Sequence, residues 1–269
     1  MAMVLHVVSY PKSGRTWLRV MLDDLGIEAL YTHDGSGFEE HASIANLDAD
    51  KTKFAAGLVL LMVRDPRDVV ISGYFQVVRR LRLQTAGSMS ISDFIRHPRY
   101  GVEKAVRFNL HWFAAAREMS DLAIVRYEDL HKDTSRALTA IVRFACSEAS
   151  TDVVRDVALR RSFAHMRQLE ATGGFEASYG NALTPPDLAD PESYKVRRGI
   201  LGGYVDYLSR DDQDFCNRII GETDYDLQLQ YTMSLRSVLR CLSHARNSCS
   251  QSRKRFNREI ASSARSKQN

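Results

Sequence analysis

At 269 residues, with 44% hydrophobic and 26% charged side chains, the chain has the size and composition of one domain with a real core. That excludes wholesale disorder, and the longest near-apolar run, Phe54 to Val63, falls far short of the ~20 residues a membrane span needs. The net charge of +4 is uneven: residues 234–269 hold nine Lys/Arg against Glu259 alone, so the body, residues 1–233, is slightly acidic and is not expected to bind nucleic acid.

The chain opens on a β-rich run, Val4–Ser9, without the basic flank and cleavable apolar stretch of a secretory signal. Tyr10 to Gly14 is turn chemistry, and Trp17, Leu18, Met21, Leu22 and Leu25 then recur at helical spacing until Gly26. Residues 32–53 are polar and read as a loop with short helical pieces. Leu58–Val63 is a continuous apolar run of strand length, as expected of a strand buried on both faces. Asp65-Pro66 starts a helix expected to reach about Leu83. Thr85–Ser92 reads as a loop, Tyr100–Ser120 as a helix, Leu122–Val125 as a strand and Leu130–Ala145 as a helix. Further helices are expected over 150–160, 162–170 and 211–221, with a Gly/Pro/Asn/Asp-rich loop from Gly173 to Tyr194.

Strands alternating with helices predict an α/β fold of three layers: a mostly parallel central sheet with helices on both faces. Ligands of such sheets bind beyond the carboxyl ends of the strands, where two motifs of this chain fall.

The first motif is Tyr10-Pro11-Lys12-Ser13-Gly14-Arg15-Thr16-Trp17. A strand feeding a Lys-Ser-Gly turn and then a helix aims backbone N–H groups and a helix dipole at one spot. Gly14 allows close approach of an anion, Lys12 adds a mobile charge, and Ser13 and Thr16 add hydroxyls. This is a phosphate cradle, but not the G-x-x-x-x-G-K-[ST] loop of nucleotide kinases, because Arg15 and not a lysine stands between Gly14 and Thr16. The second motif, Arg64-Asp65-Pro66-Arg67-Asp68-Val69-Val70-Ile71-Ser72, follows the Leu58 strand. Arg64 would emerge at the strand end and Ser72 two turns into the helix, both in reach of one phosphate.

Together these segments resemble the PAPS-dependent sulfotransferases. The first is similar to that family's P-loop-like phosphosulfate-binding turn (TYPKSGTTW) and the second to its 3′-phosphate segment, with the same Arg-to-Ser spacing. Tyr127-Glu128-Asp129-Leu130 resembles its YEDL stretch, Ser162-Phe163-Ala164-His165-Met166 its S-F-x-x-M segment, and Arg197-Arg198-Gly199-Ile200-Leu201-Gly202 its R-K-G-x-x-G loop. Two departures stand out: Arg15 replaces a threonine, and Gly203-Tyr204-Val205 replaces Asp-Trp-Lys.

The resemblance implies sulfuryl transfer from PAPS to a hydroxyl or amine, without a metal. It assigns Lys12 to the leaving phosphate, and Ser13, Gly14, Arg15 and Thr16 to the 5′-phosphate. Trp17, Tyr127 and Phe163 fall to the adenine, Arg64, Ser72, Arg197, Arg198 and Gly199 to the 3′-phosphate, and Ser162 to the cofactor-binding set. A hydroxyl acceptor needs a base. His33, in Thr32-His33, is the first candidate and His41 the runner-up. A P-loop nucleotide kinase and a nucleotide-binding protein without catalysis are the rival readings. The acceptor, whether small molecule, lipid or glycan, is not legible.

Four cysteines without CxxC spacing fit free thiols in a reducing, cytoplasmic setting. The division expected is a sulfotransferase domain over 1–233 and a basic tail over 234–269. In the tail, Leu235, Val238, Leu239 and Leu242 form a helical stripe, with Arg236, Arg240, Arg246 and Arg253-Lys254-Arg255 around or after it. It reads either as a packed last helix with a disordered end or as a peripheral anchor on anionic membrane.

Overall fold

The structure is a computed structural model that describes residues 4–39, 42–83 and 87–239. The chain runs β1 (Leu5–Ser9), α1 (Arg15–Asp24), β2 (Ala29–Thr32), β3 (Leu58–Val63), α2 (Pro66–Phe75), α3 (Ile91–Arg96) and α4 (Val102–Glu118). It continues through β4 (Leu122–Arg126), α5 (Tyr127–Lys132), α6 (Thr134–Phe144), α7 (Thr151–Arg160) and α8 (Phe163–Ala171). A short α9 (Glu176–Tyr179), then α10 (Arg210–Glu222) and α11 (Tyr225–Arg236), complete it.

The four strands are all parallel, in the order β2-β1-β3-β4. The unbroken apolar run of β3 has a simple cause, since its alternate residues serve two cores. Leu58, Leu60 and Met62 face α1, α6 and α7, packing with Leu18, Leu22, Leu138, Ile141 and Val157. Val59, Leu61 and Val63 face α2, α4, α10 and α11, packing with Val70, Val106, Trp112, Ile220 and Tyr225. The expected three layers are therefore present. Ser9 pairs with Met62, and Val63 with Arg126, so β1, β3 and β4 end side by side. That register delivers the turns after all three strands to one edge.

Several elements differ from the sequence expectation. β2 was not foreseen; it is an edge strand of four residues, Ala29-Leu30-Tyr31-Thr32, with Leu30 exposed, too short to show an alternation. The helix from Pro66 gives way at Gln76–Arg80 to a single π-helical turn. The helix expected over Leu130–Ala145 is two helices, broken at Asp133, whose carboxylate caps α6 by accepting from the Arg136 N–H at 3.0 Å. α3 begins inside the segment read as a loop, with Ser90 as its cap.

The stripe from Leu235 is also corrected within the described residues. α11 ends at Arg236, and Ser237 makes a parallel bridge with Ile124 of β4. The Val238 N–H donates to the Ile124 carbonyl at 2.9 Å, and its side chain is buried in the core. Val238 needed burial, and the turn after the Ser237 bridge supplies it as well as a helix would. Leu242, Arg240, Arg246 and Arg253–Arg255 lie outside the described residues, as does His41. Among the described residues no helix is long and apolar enough to cross a membrane, and Cys216 is a buried thiol outside any disulfide.

Candidate active site

The turn after β1 takes the backbone through left-handed geometry twice, at Lys12 (φ 72°) and Gly14 (φ 98°). At Gly14 a side chain is excluded twice over. The conformation disfavours one, and a Cβ there would lie 2.5 Å from Cδ2 of Tyr127. Gly14 then starts α1, whose Trp17 N–H donates to the Gly14 carbonyl at 3.0 Å. Lys12 turns its ammonium into a cavity of about 420 Å³ and donates to Oε1 of Gln76 at 2.9 Å. Gln76 is the first residue of the π turn. Burial holds the Lys12 pKa well below the usual lysine value, and the charges of Lys195 and Arg80 add to it.

His33 follows β2 directly. Its carbonyl accepts from the N–H and hydroxyl of Ser36, at 2.9 and 2.6 Å. Next to it, the buried Asp34 carboxylate is gripped by Lys51 at 2.5 Å and Lys53 at 2.7 Å. The imidazole is therefore carried on a fixed backbone. Its Nδ1 lies 2.8 Å from the Ser9 carbonyl, which can only accept, so Nδ1 bears the proton. Nε2 then accepts from Nη2 of Arg15 at 2.8 Å. Burial, and after it the Arg15 charge, push the His33 pKa down to about 3, so the ring is neutral at physiological pH.

The far wall is built on α2 and the 197–204 loop. The Arg64 guanidinium lies over the Tyr127 ring at 4.3 Å and faces Asp68 at 3.5 Å. Asp68 is buried and accepts from the N–H groups of Gly202 at 2.9 Å and Tyr204 at 3.1 Å, tying the loop to α2. Arg197 is set by Glu192 and the Tyr207 hydroxyl, both at 2.7 Å, and Arg198 pairs with Asp206 at 2.6 Å. Gly199 (φ 64°) is packed so closely on Phe163 that a Cβ would lie 2.3 Å from the ring.

One cavity thus brings together Lys12, Gly14, Arg15, Thr16 and Trp17 from the first turn, and His33 from the second strand. Arg64 and Tyr127 join them from the ends of β3 and β4, Ser72 from α2, and Phe163, Arg197, Arg198 and Gly199 from the later segments. Two expected residues are not in its wall. Ser13 is buried beneath the turn, and Ser162 is exposed ahead of α8, its hydroxyl making no cap. The sequence reading missed Asp68, Gln76 and Lys195. Asp68 carried a signal, four residues after Arg64 in the same motif; the other two had none.

The cavity accommodates a phosphorylated ligand on a direct observation. Arg15 Nη1, Arg64 Nε and Arg197 Nε are buried without a hydrogen-bond partner in the protein. Orphaned guanidinium N–H groups around one cavity call for an anion. Among the described residues no three His, Cys, Asp or Glu side chains are placed to hold a metal ion.

A parallel sheet whose strand ends present a lysine turn and an arginine-rich second wall defines a P-loop-like α/β enzyme of the group-transfer class. Residues 38–228 match the model of the sulfotransferase domain family, and the chain belongs to that family, the PAPS-dependent sulfotransferases. It is 22% identical to sulfotransferase 2A1 of Macaca fascicularis over 250 residues, covering 82% of this chain and 84% of the relative. It is 27% identical to mouse sulfotransferase 2A6 over 192 residues, covering 61% of this chain and 66% of the relative. The structure of mouse sulfotransferase SULT7A1 complexed with PAP superposes with a TM-score of 0.60 at 16% identity, covering 87% and 90% of the two chains. Retinol dehydratase in complex with retinol and PAP gives a TM-score of 0.59 at 14% identity, covering 82% and 81%. The chain is a sulfotransferase, and PAPS is its sulfuryl donor.

Proposed function

We propose that this sulfotransferase modifies the hydroxyl of a small molecule with an apolar body, using Lys12 at the leaving group and His33 as base. The observation that carries the reading is the convergence of Lys12, His33 and the orphaned guanidinium groups on one cavity. Sulfuryl transfer parallels phosphoryl transfer, so positioning and charge stabilisation do most of the work. Lys12 would neutralise charge developing on the bridging oxygen. Arg64, Arg197, Arg198 and Ser72 would hold the 3′-phosphate, and Trp17, Tyr127 and Phe163 the adenine. His33, neutral with Nδ1–H bonded to Ser9, has Nε2 as its basic atom.

We infer the acceptor class from the apolar part of the cavity lining. Phe38, four residues after the Asp34 clamp, and Leu81 and Leu83, just beyond the π turn that meets Lys12, line the same cavity. Apolar walls beside a lysine and a histidine suit an alcohol or phenol better than a glycan. Retinol and androsterone, bound in structures of retinol dehydratase, are alcohols of this kind and the first acceptors to assay.

Calorimetry with PAP in EDTA tests the donor reading, and turnover of radiolabelled PAPS across apolar alcohols, phenols and simple sugars tests the acceptor. Binding of ATP with magnesium but not of PAP would return the chain to the kinase reading. Sugars turned over in preference to apolar alcohols would overturn the acceptor class. We further propose that the catalytic unit is the packed body through Leu239, and that the basic residues beyond it contact anionic membrane.

A further inference from the structure

Arg15 stands where the family resemblance expects a threonine, and its guanidinium has two different engagements. Nη2 donates to Nε2 of His33 at 2.8 Å. Nη1 is buried, has no hydrogen-bond partner, and belongs to a residue that lines the cavity beside Lys12. Because Nδ1–H of His33 is committed to the Ser9 carbonyl, Nε2 is the only ring nitrogen with a lone pair. That lone pair is what a base must offer, and Arg15 occupies it.

We propose that Arg15 is a positioning residue that caps Nε2 of His33 until the donor's phosphosulfate draws the guanidinium onto itself and releases the base. The proposal rests on His33 being the base. Its physical ground is a difference in affinity: a guanidinium bonds an anionic phosphate more strongly than a neutral imidazole. Because Nη1 is unpartnered, drawing the guanidinium onto the anion forfeits only the Nη2 bond to His33.

Releasing the cap also removes the Arg15 share of the lowered His33 pKa, of which burial is the largest cause. The groups that bear on His33 are Arg15 from α1, Lys12 from the first turn, Lys195 from the loop after α9, and the Ser9 carbonyl. All three cations disfavour the imidazolium, and a bound polyanion neutralises them together. The proton count then closes. The acceptor O–H proton passes to Nε2 while Nδ1 keeps its own, the acceptor oxygen bonds sulfur, and the bridging oxygen leaves with PAP and the bonding electron pair. Without donor, Nε2 stays capped, so no acceptor hydroxyl is activated with nothing to receive it.

The test is a long-range proton–nitrogen NMR correlation of the His33 ring in the full-length protein, with and without PAP. The protein is wild type, Arg15→Thr or Arg15→Lys, and calorimetry verifies PAP binding on the same samples. In wild type, PAP is expected to move Nε2 toward the frequency of an unbonded ring nitrogen. The His33 titration midpoint should rise, while burial, the largest cause of its depression, keeps it below the ordinary 6.5. Free Arg15→Thr should already have the unbonded frequency and a raised midpoint, with little further response to PAP at Nε2. Arg15→Lys, which keeps the charge without the fork, should restore the low midpoint in part and serves if Arg15→Thr does not fold. Bound PAP that leaves Nε2 and the midpoint of wild type unchanged overturns the proposal, as does free Arg15→Thr with the wild-type Nε2 frequency. Two other failures are distinct from it. Absence of PAP binding overturns the donor reading, and full turnover in His33→Ala overturns the base assignment, each taking the cap with it.

Discussion

Arg80 and Glu170 form a buried ion pair, Nη1 to Oε1 at 3.2 Å, behind the loop that carries Lys195 and Arg197. The Glu170 carboxylate also accepts from the N–H groups of Lys195 at 2.6 Å and Val196 at 2.7 Å. Arg80 donates to the carbonyls of Ala182 and Thr184, each at 3.0 Å, and of Ser193 at 3.1 Å. One partner belongs to the π turn and the other to α8, so the pair bolts the loop between two elements. Truncating one partner of such a pair leaves a buried charge and costs about 3–5 kcal/mol. Glu170→Ala is expected to lower Tm markedly and to weaken PAP binding, while Glu170→Gln, which keeps an acceptor, loses less. Thermal melts and calorimetry measure both; a Glu170→Ala protein as stable as wild type would remove the bolt.

Lys12 and Arg64 should separate chemistry from binding. Lys12 acts where charge develops, so Lys12→Ala is expected to lose most of kcat and less PAP affinity. Arg64 is clamped over Tyr127 with a buried Nε left to bond, so Arg64→Ala should lose PAP affinity severely. Paired turnover and calorimetry on the two variants check this, and the same pattern in both would overturn the assigned roles.

What was legible in the sequence was local. β3 could be read because all its residues are apolar, which requires burial on both faces. The Lys12-Ser13-Gly14 turn and the Arg64–Ser72 spacing could be read because each lies within one strand-to-helix connection. β2 could not, since its four residues Ala29-Leu30-Tyr31-Thr32, with Leu30 exposed, are too few to display a period. Nor could the Arg15–His33 bond, which joins residues 18 apart on different elements, or the Arg80–Glu170 pair, 90 apart. Spacing misled at Val238, where an apolar period shared with a helix is met by a turn docked on β4 through the Ser237 bridge. The π turn at Gln76 was hidden because a residue inserted into a helix leaves the composition helical.

His33→Ala is expected to lose at least ~100-fold in kcat for a hydroxyl acceptor, the low end for a general base. His41→Ala should lose little. Steady-state kinetics at saturating PAPS decide it, and the opposite pattern would move the base to His41.

Lys195 gives the site a pH dependence of definite sign. Burial, and after it the Arg80 charge, lower its pKa to about 8, so its ammonium is lost as pH rises through that value. Bound phosphates favour the charged form, so PAP binding above about pH 8 takes up a proton, and affinity falls as pH rises. The stability sign is opposite. The unfolded chain, with Lys195 at its ordinary 10.5, holds more protons between about 8 and 10.5, so this group's contribution to stability rises with pH there. Calorimetry from pH 7 to 9.5 is expected to show weakening affinity, with a shallower slope in Lys195→Met. An unchanged slope in that variant would assign the dependence to other groups.

The last prediction concerns where the body stops and the basic tail begins. Val238 is buried and joined to Ile124, so a cut after Thr232 removes a core side chain whose burial is worth about 1.5–3 kcal/mol, along with the end of α11. A cut after Leu239 removes no described contact. It deletes eight Lys/Arg and the single acid Glu259. The shorter cut is therefore expected to keep Tm and PAP affinity, and the longer one to lose stability. Each basic residue near an anionic surface contributes about 1 kcal/mol, an attraction that salt screens. Full-length protein should thus co-sediment with phosphatidylserine-containing vesicles at low salt and be released at high salt, while the protein ending at Leu239 stays in the supernatant. Equal sedimentation of the two forms would remove the membrane anchor and leave the tail a solvated end.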